Sequence, residues 1–162
     1  MPNASKHPEP AIGLESAARA AVVERLEHRL GDAWVLYSKT RNFHWNVEGP
    51  HFKQYHALFE EQYEALDEEL DALAERIRAL GRRSPGALKE FLALSTLKEA
   101  LGKRTAPEMI AELLGDHEAF ARALRSDIET CEKADDKASA DFLTGLMEGH
   151  EKTAWMLRAT LG

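Results

Sequence analysis

The sequence is poor in cysteine, in chain-breaking residues within its periodic stretches, and in long hydrophobic runs. Cys131 is the only cysteine, so no disulfide bond can form within the chain. No apolar run approaches the roughly 18 residues that a transmembrane helix needs. Residues 1–13 also lack the apolar core of a secretory signal. These absences predict a cytoplasmic protein that does not span a membrane.

Basic residues are outnumbered, because the chain has 28 Asp and Glu against 21 Lys and Arg and a net charge of −7. Such a surface repels the phosphate backbone of nucleic acids and attracts metal cations. Residues 1–13 are polar and rich in proline, which predicts a flexible tail, and Lys6 and His7 are its only basic side chains. Direct binding of DNA is therefore possible but not favoured. The remaining residues, 14–162, are expected to form one domain.

Apolar residues recur at steps of three, four and seven through most of residues 14–162, which is the spacing of α-helices packed on one face. The pattern predicts an all-α, ferritin-like four-helix bundle with a short extra helix in a long crossover between the second and third long helices. The first long helix is expected from about Leu14 to Val47, and the second from the Gly49-Pro50 break to about Leu80. The short helix is expected within residues 82–104. The third long helix begins at the capping box of Thr105 and Glu108, and the fourth is capped by Asp136.

Two further histidines fall on the inward faces of the last two long helices. The fourth helix is expected to face the core through Phe142, Leu146, His150 and Leu157. We interpret His150, and likewise His117 on the third helix, as a core or interface residue.

Four residues of one stretch have side chains that bind metals, but they fall into two groups. His44 precedes the Gly49-Pro50 break and His56 follows it, so an antiparallel hairpin brings them together. Asp71 and Glu75 are spaced i, i+4 and share one face of the second helix. Along that helix His56 and Asp71 are about 22 Å apart at 1.5 Å per residue, whereas metal–ligand bonds to His and carboxylate are only about 2.0–2.2 Å. One chain therefore cannot place both groups on the same ion.

Two antiparallel copies of the chain related by a two-fold axis would bring each histidine group to a carboxylate group and create two equal sites. Taken singly, each residue has a plainer interpretation: an inward histidine is usually a core residue, and an i, i+4 carboxylate pair is usually solvated. The joint pattern favours an iron site shared between chains. Trp45, next to His44, is either a packing residue or an oxidisable neighbour of that site.

The alternative of a di-iron centre inside one bundle requires a Glu-x-x-His pair on each of two helices. Only Glu48 and His51 have this spacing, and Gly49-Pro50 separates them, so no helix carries the motif. The residues three positions before the seven histidines are Ala4, Arg25, Arg41, Glu48, Lys53, Leu114 and Met147.

The sequence resembles the Dps family, the mini-ferritins named as DNA-binding proteins of starved cells. The resemblance covers about Ile12 to Leu161 and is most specific at residues 42–47 (NFHWNV), followed by His56, Asp71 and the residues 74–76 (AER). The C-terminal stretch 150–157 (HEKTAWML) is also similar to family members.

The resemblance implies a homo-oligomer, a hollow dodecameric shell built from two-fold dimers, with a ferroxidase site for a pair of iron ions at each dimer interface. His44 and His56 would come from one chain and Asp71 and Glu75 from its partner. Glu60 stands where many family members have Asp and would bind the second, weaker iron directly or through water. Trp45 would supply electrons or quench radicals.

The implied reaction is the oxidation of Fe²⁺, preferably by hydrogen peroxide, with storage of ferric mineral inside the shell. Zinc and manganese suit the same ligands. Asp136 and Asp141 are candidates for an acidic iron-entry pore, with a helix cap and a plain surface charge as the alternatives. The competing function is a nucleoid-associated protein that protects DNA by binding it directly.

Overall fold

The computed structural model describes residues 8–162, and Lys6 and His7 of the predicted tail lie outside this range. The described chain is all-α, with five helices and no strand among these residues. The helices are α1 (Ser16–Asn46), α2 (Phe52–Ala79), α3 (Leu88–Leu94), α4 (Ala106–Lys133) and α5 (Lys137–Leu161). The predicted class, the four long helices and the short helix in the crossover are thereby confirmed.

The four long helices form two hairpins, because α1 packs chiefly on α2 and α4 on α5, while α1 also contacts α4. Their inward faces build one core. Its largest fully buried side chains come mainly from α1, α2 and α4, and α5 adds the fully buried Leu143 and Leu157. Burial of such apolar side chains contributes about 1.5–3 kcal/mol each. The largest are Phe43, Phe59, Phe120, Leu26, Leu30, Leu36, Leu73, Ile77, Leu80, Ile110, Leu113 and Leu124.

Local sequence signals set the ends of the helices. Thr105 caps α4 by accepting a hydrogen bond from the backbone N–H of Glu108, whose carboxylate accepts from the N–H of Thr105 in return. Asp136 caps α5 by accepting from the N–H of Ser139 at 3.0 Å. Gly81 follows α2 with a φ of 85°, a left-handed conformation that glycine adopts without strain.

The crossover between α2 and α4 is tied to α1 through a buried carboxylate. Asp32 accepts hydrogen bonds from the backbone N–H of Leu97 and from the side chains of Ser95 and Thr96. One residue earlier, Gly31 allows a close approach, because a Cβ there would lie 2.8 Å from the backbone oxygen of Phe91. These contacts hold α3 against α1.

Two details differ from the sequence prediction. The first long helix is shorter than expected at both ends, because it begins at Ser16 and ends at Asn46. On α5, Leu143 is fully buried although the prediction omitted it, whereas the predicted Phe142 and Leu146 are half-buried and pack against the core. Steps of three and four residues fit both sets of positions. None of the helices described for residues 8–162 is long and apolar enough to cross a membrane.

Candidate metal centre

His44 at the end of α1 and His56 at the start of α2 face each other across the turn that joins these helices. Gly49 makes this turn with a φ of 119°, a conformation that favours glycine. The two rings stack with centroids 3.7 Å apart and an angle of 18° between their planes. The Nδ1 of each ring lies 2.8 Å from the backbone oxygen of the other residue.

This reciprocal arrangement determines which nitrogen of each ring is available. A backbone carbonyl only accepts hydrogen bonds, so both Nδ1 atoms must donate. A neutral imidazole that carries its proton on Nδ1 presents a lone pair at Nε2. Hydrogen bonding at one ring nitrogen is how metal-binding histidines are held in a fixed tautomer and orientation. His44 and His56, the imidazole pair, thus offer two parallel nitrogen ligands that one chain prepares by itself.

A tyrosine and a glutamate of α2 complete the surroundings of the imidazole pair. The edge of the Tyr63 ring meets His44 at 5.1 Å between centroids. The Tyr63 hydroxyl donates to Glu60 Oε1 at 3.3 Å. Loss of solvent and the neighbouring Glu60 carboxylate raise the pKa of Tyr63. Glu60 lies one turn after His56, which brings its carboxylate to the same end of the helix.

Trp45 is not part of the core of the single chain, because 65% of it is exposed. The guanidinium of Arg41 lies over its ring at 5.4 Å and over the ring of Tyr63 at 4.4 Å. Cation–π contacts of this kind hold an exposed aromatic ring in one place. Trp45 therefore lies on an open surface, where Arg41 joins it to Tyr63.

Asp71 and Glu75, the carboxylate pair, are both exposed near the other end of α2. Neither has a hydrogen-bond or ion-pair partner among the described residues. Asp71 lines a cavity of about 540 Å³ together with Pro85, Gly86 and Phe91 from the crossover. The carboxylate pair is therefore free to bind something outside its own chain.

The two pairs do not meet within one chain. Helix α2 runs unbroken from Phe52 to Ala79, so the rise of 1.5 Å per residue keeps His56 and Asp71 about 22 Å apart. Among residues 8–162, no three His, Cys, Asp or Glu side chains are placed to hold one metal ion. A centre that uses both pairs needs a second copy of the chain.

The pore candidates have different surroundings. Asp136 is 2% exposed, and its carboxylate caps α5 and binds Arg76 at 2.8 Å. This matches the helix-cap alternative for Asp136. Asp141, in the first turns of α5, is exposed and carries its charge on the surface. Of these two candidates, only Asp141 is exposed to a cation from solvent in the single chain.

Sequence reasoning missed three contributors to this centre. Tyr63 was visible only as one apolar position of a helical stripe, and Arg41 gave no signal. The backbone oxygens that orient the imidazole pair have no side-chain signature at all, because they depend on how closely α1 and α2 cross. The Gly49-Pro50 break was the one local clue to that crossing.

Known proteins resemble this chain over nearly its whole length. Residues 23–162 match the ferritin-like domain family. The chain is 46% identical over 150 residues to a low temperature-induced protein of Nostoc sp., covering 91% of this chain and 84% of the relative. It is 39% identical over 140 residues to DNA protection during starvation protein 2 of Bacillus anthracis, covering 86% and 96% of the two chains.

The fold is similarly matched by solved structures. The crystal structure of a Dps protein from Vibrio cholerae O1 superimposes with a TM-score of 0.92 at 28% identity, covering 98% of this chain and all of that one. That protein is described as a member of a broad superfamily of ferritin-like diiron-carboxylate proteins.

Proposed function

Because this chain belongs to the Dps family of ferritin-like proteins, we propose that it is a ferroxidase and iron-storage protein. Its substrate is ferrous iron, its preferred oxidant is hydrogen peroxide, and its product is a ferric mineral held inside a dodecameric shell. The observation that carries the proposal is the imidazole pair, whose Nδ1 atoms both donate to backbone oxygens at 2.8 Å and leave both Nε2 atoms free.

In this proposal each site is shared across a two-fold interface. His44 and His56 bind iron from one subunit, and Asp71 and Glu75 of the partner subunit complete the site. A mixed imidazole and carboxylate set suits iron, and carboxylates favour the ferric product. Glu60 lies at the same end of the helix as the imidazole pair and serves a second ion, directly or through water. Zinc and manganese would compete for the same ligands.

An exposed apolar surface supports the shared site. A groove of about 460 Å³ runs between α1 and α3 and includes Trp45, Leu88 and Leu92 in its lining. These three side chains are 65%, 71% and 48% exposed. Phe91 lines both this groove and the cavity beside Asp71. A second copy that covered the groove would remove apolar surface from water and bring its own ligands to the site.

The chemistry divides between substrate and protein. Two ferrous ions supply the two electrons that reduce one hydrogen peroxide, and two protons are taken up to form two waters. Few protein ligands per ion leave coordination positions open for the oxidant. Trp45 and Tyr63 are oxidisable side chains beside the site. Consuming ferrous iron and peroxide together protects DNA without contact.

The test is to load the protein anaerobically with Fe²⁺ and to add hydrogen peroxide in a stopped-flow spectrometer. The proposal requires ferric absorbance to appear faster than in buffer, with about one peroxide consumed per two ferrous ions. A rate equal to that of buffer would refute it. Direct DNA binding, suggested by the name of the Bacillus anthracis relative, is disfavoured by the net charge of −7. A gel shift at low salt that is lost as salt rises would establish it instead.

A further inference from the structure

A second group of buried polar side chains lies inside the bundle of the single subunit. His117 on α4 and His150 on α5 are each 3% exposed. Their Nδ1 atoms are 2.7 Å apart. The Nε2 of His150 lies 3.2 Å from both carboxylate oxygens of Glu69 on α2. A chain of three hydrogen-bonded groups therefore crosses the bundle from α2 through α5 to α4.

The carboxylate end sets the direction of the protons along this chain. The Glu69 carboxylate accepts a hydrogen bond from His150 Nε2. When His150 is a neutral imidazole, its Nδ1 has a lone pair that accepts from His117 Nδ1, and a lone pair remains at His117 Nε2. Burial lowers the pKa of His117 well below its ordinary range, so this ring stays neutral. The outcome is a buried nitrogen base.

This base and a nearby amide have no partner in the protein. The Nε2 of His117 and both polar atoms of the Gln62 side chain are buried without a hydrogen bond. Gln62 is 8% exposed. A buried polar group left without a partner costs about 1–3 kcal/mol. A ligand bound in a cavity that both side chains line could supply the missing interactions.

Both side chains line one cavity, whose volume is about 440 Å³. Every charged residue in its lining is acidic: Glu61, Glu68 and Glu69. A Cβ added at Gly145 or Gly149 of α5, which also line it, would meet no atom within 4 Å. The cavity therefore has space at the α5 side and a negative potential, which favours a cation.

We propose that each subunit holds, inside its own bundle, a separate site for one divalent transition-metal ion, with His117 Nε2 and Gln62 Oε1 as protein ligands and water completing the coordination shell. Imidazole nitrogen suits first-row metals, and the hydrogen bond from His117 through His150 to Glu69 strengthens that nitrogen as a donor. No Glu-x-x-His pair takes part. The site does not depend on the ferroxidase proposal, because it shares no ligand with it.

Cobalt(II) is the probe, because the measurement needs no oxidant and the visible spectrum of the bound ion reports its ligands. In the H44A/H56A chain, which lacks the imidazole pair, anaerobic calorimetry should still find about one Co²⁺ per subunit. Near-edge and extended X-ray absorption should show one imidazole in its shell. The difference in Co²⁺ uptake between the unmodified and H44A/H56A chains reports the intersubunit site separately, so the two proposals can fail independently.

Substitutions at Gln62 test the assignment in both directions. Gln62→Leu removes the unpartnered amide, so it should weaken Co²⁺ binding about tenfold or more while the melting temperature holds or rises. Gln62→Glu adds a carboxylate oxygen and should strengthen binding. Glu64→Gln, an exposed change on α2 outside the cavity, is the matched control. No uptake by the H44A/H56A chain, or equal affinity in the Gln62 variants, would overturn the proposal.

Discussion

The imidazole pair and the carboxylate pair, near opposite ends of α2, differ in how far one subunit prepares them. His44 is 7% exposed, and both rings are fixed by hydrogen bonds to backbone oxygens. Asp71 and Glu75 are exposed and have no partner among the described residues. A single subunit thus orients its own imidazoles, whereas in the proposed site the carboxylates would find their partners only on assembly.

This difference has a consequence for catalysis. Imidazoles that are already oriented bind a metal without the entropy cost of ordering their rings. Exposed carboxylates avoid the large cost of burying unpaired charge in a single subunit. In the proposed site, activity would then depend on the association of two subunits.

Removing an imidazole should cause the largest loss. His56→Ala deletes one nitrogen ligand and leaves His44 oriented but alone, so the initial rate of peroxide-dependent Fe²⁺ oxidation should fall about 100-fold. Stopped-flow absorbance measures it. His51→Ala, an exposed histidine in the same turn, should keep the rate within about twofold. Equal losses in both variants would show that the turn matters and the imidazole pair does not.

Neutralising the carboxylate pair should cost less than removing an imidazole, but still about 10-fold or more. In D71N/E75Q the amides keep an oxygen ligand but lose the charge that stabilises ferric iron. The same stopped-flow assay gives the rate, and analytical ultracentrifugation shows whether the shell survives. Unchanged activity in an intact shell would remove the carboxylate pair from the site.

A change at the α1–α3 contact should disturb the packing of the crossover against α1. Gly31→Ala drives a Cβ against Phe91 and α3, which should destabilise the fold by about 1–3 kcal/mol in chemical denaturation. The matched change Gly115→Ala on α4 meets nothing within 4 Å and should stabilise by about 0.5–1 kcal/mol. Destabilisation by both variants would contradict the close approach at Gly31.

The smallest effect is expected at the loop beside Asp71. Glu90 accepts from the backbone N–H groups of Gly86 and Ala87 and pairs with Arg83. These contacts lower the pKa of Glu90 from 4.5 to about 2. The stabilisation that the ionised Glu90 carboxylate gives the fold is therefore full above about pH 4.5 and is lost as pH falls towards 2.

Glu90→Gln should reproduce that loss at neutral pH, as faster amide hydrogen exchange in residues 88–94. Glu129→Gln, in an exposed pair with Lys133, should leave these amides unchanged. No acceleration in Glu90→Gln would mean that other contacts hold the loop.

The sequence predicted the helices well because their signals are local. The capping box at Thr105, the Gly49-Pro50 break and the glycine after α2 act within a few residues. On α5 the prediction missed the fully buried Leu143, because steps of three and four residues fit this position as well as the predicted Phe142 and Leu146. The link from His117 through His150 to Glu69 joins three helices and has no local signal.

The candidate site was predictable only in part. Helical rise was enough to show that His56 and Asp71 cannot share an ion within one chain. The reciprocal hydrogen bonds of His44 and His56 depend on the distance between two backbones, which side-chain types do not reveal. The roles assigned to Glu60, Trp45 and Asp141 stay predictions.

Subunit mixing is the most direct measurement of whether the site is shared. H44A/H56A chains assembled alone are expected to be inactive, and D71N/E75Q chains assembled alone are expected to keep at most about a tenth of the unmodified activity. In mixed dimers one of the two interface sites has a complete ligand set, so random co-assembly of equal amounts should restore about a quarter of the unmodified activity. A site built within one chain would give no recovery above that residual activity.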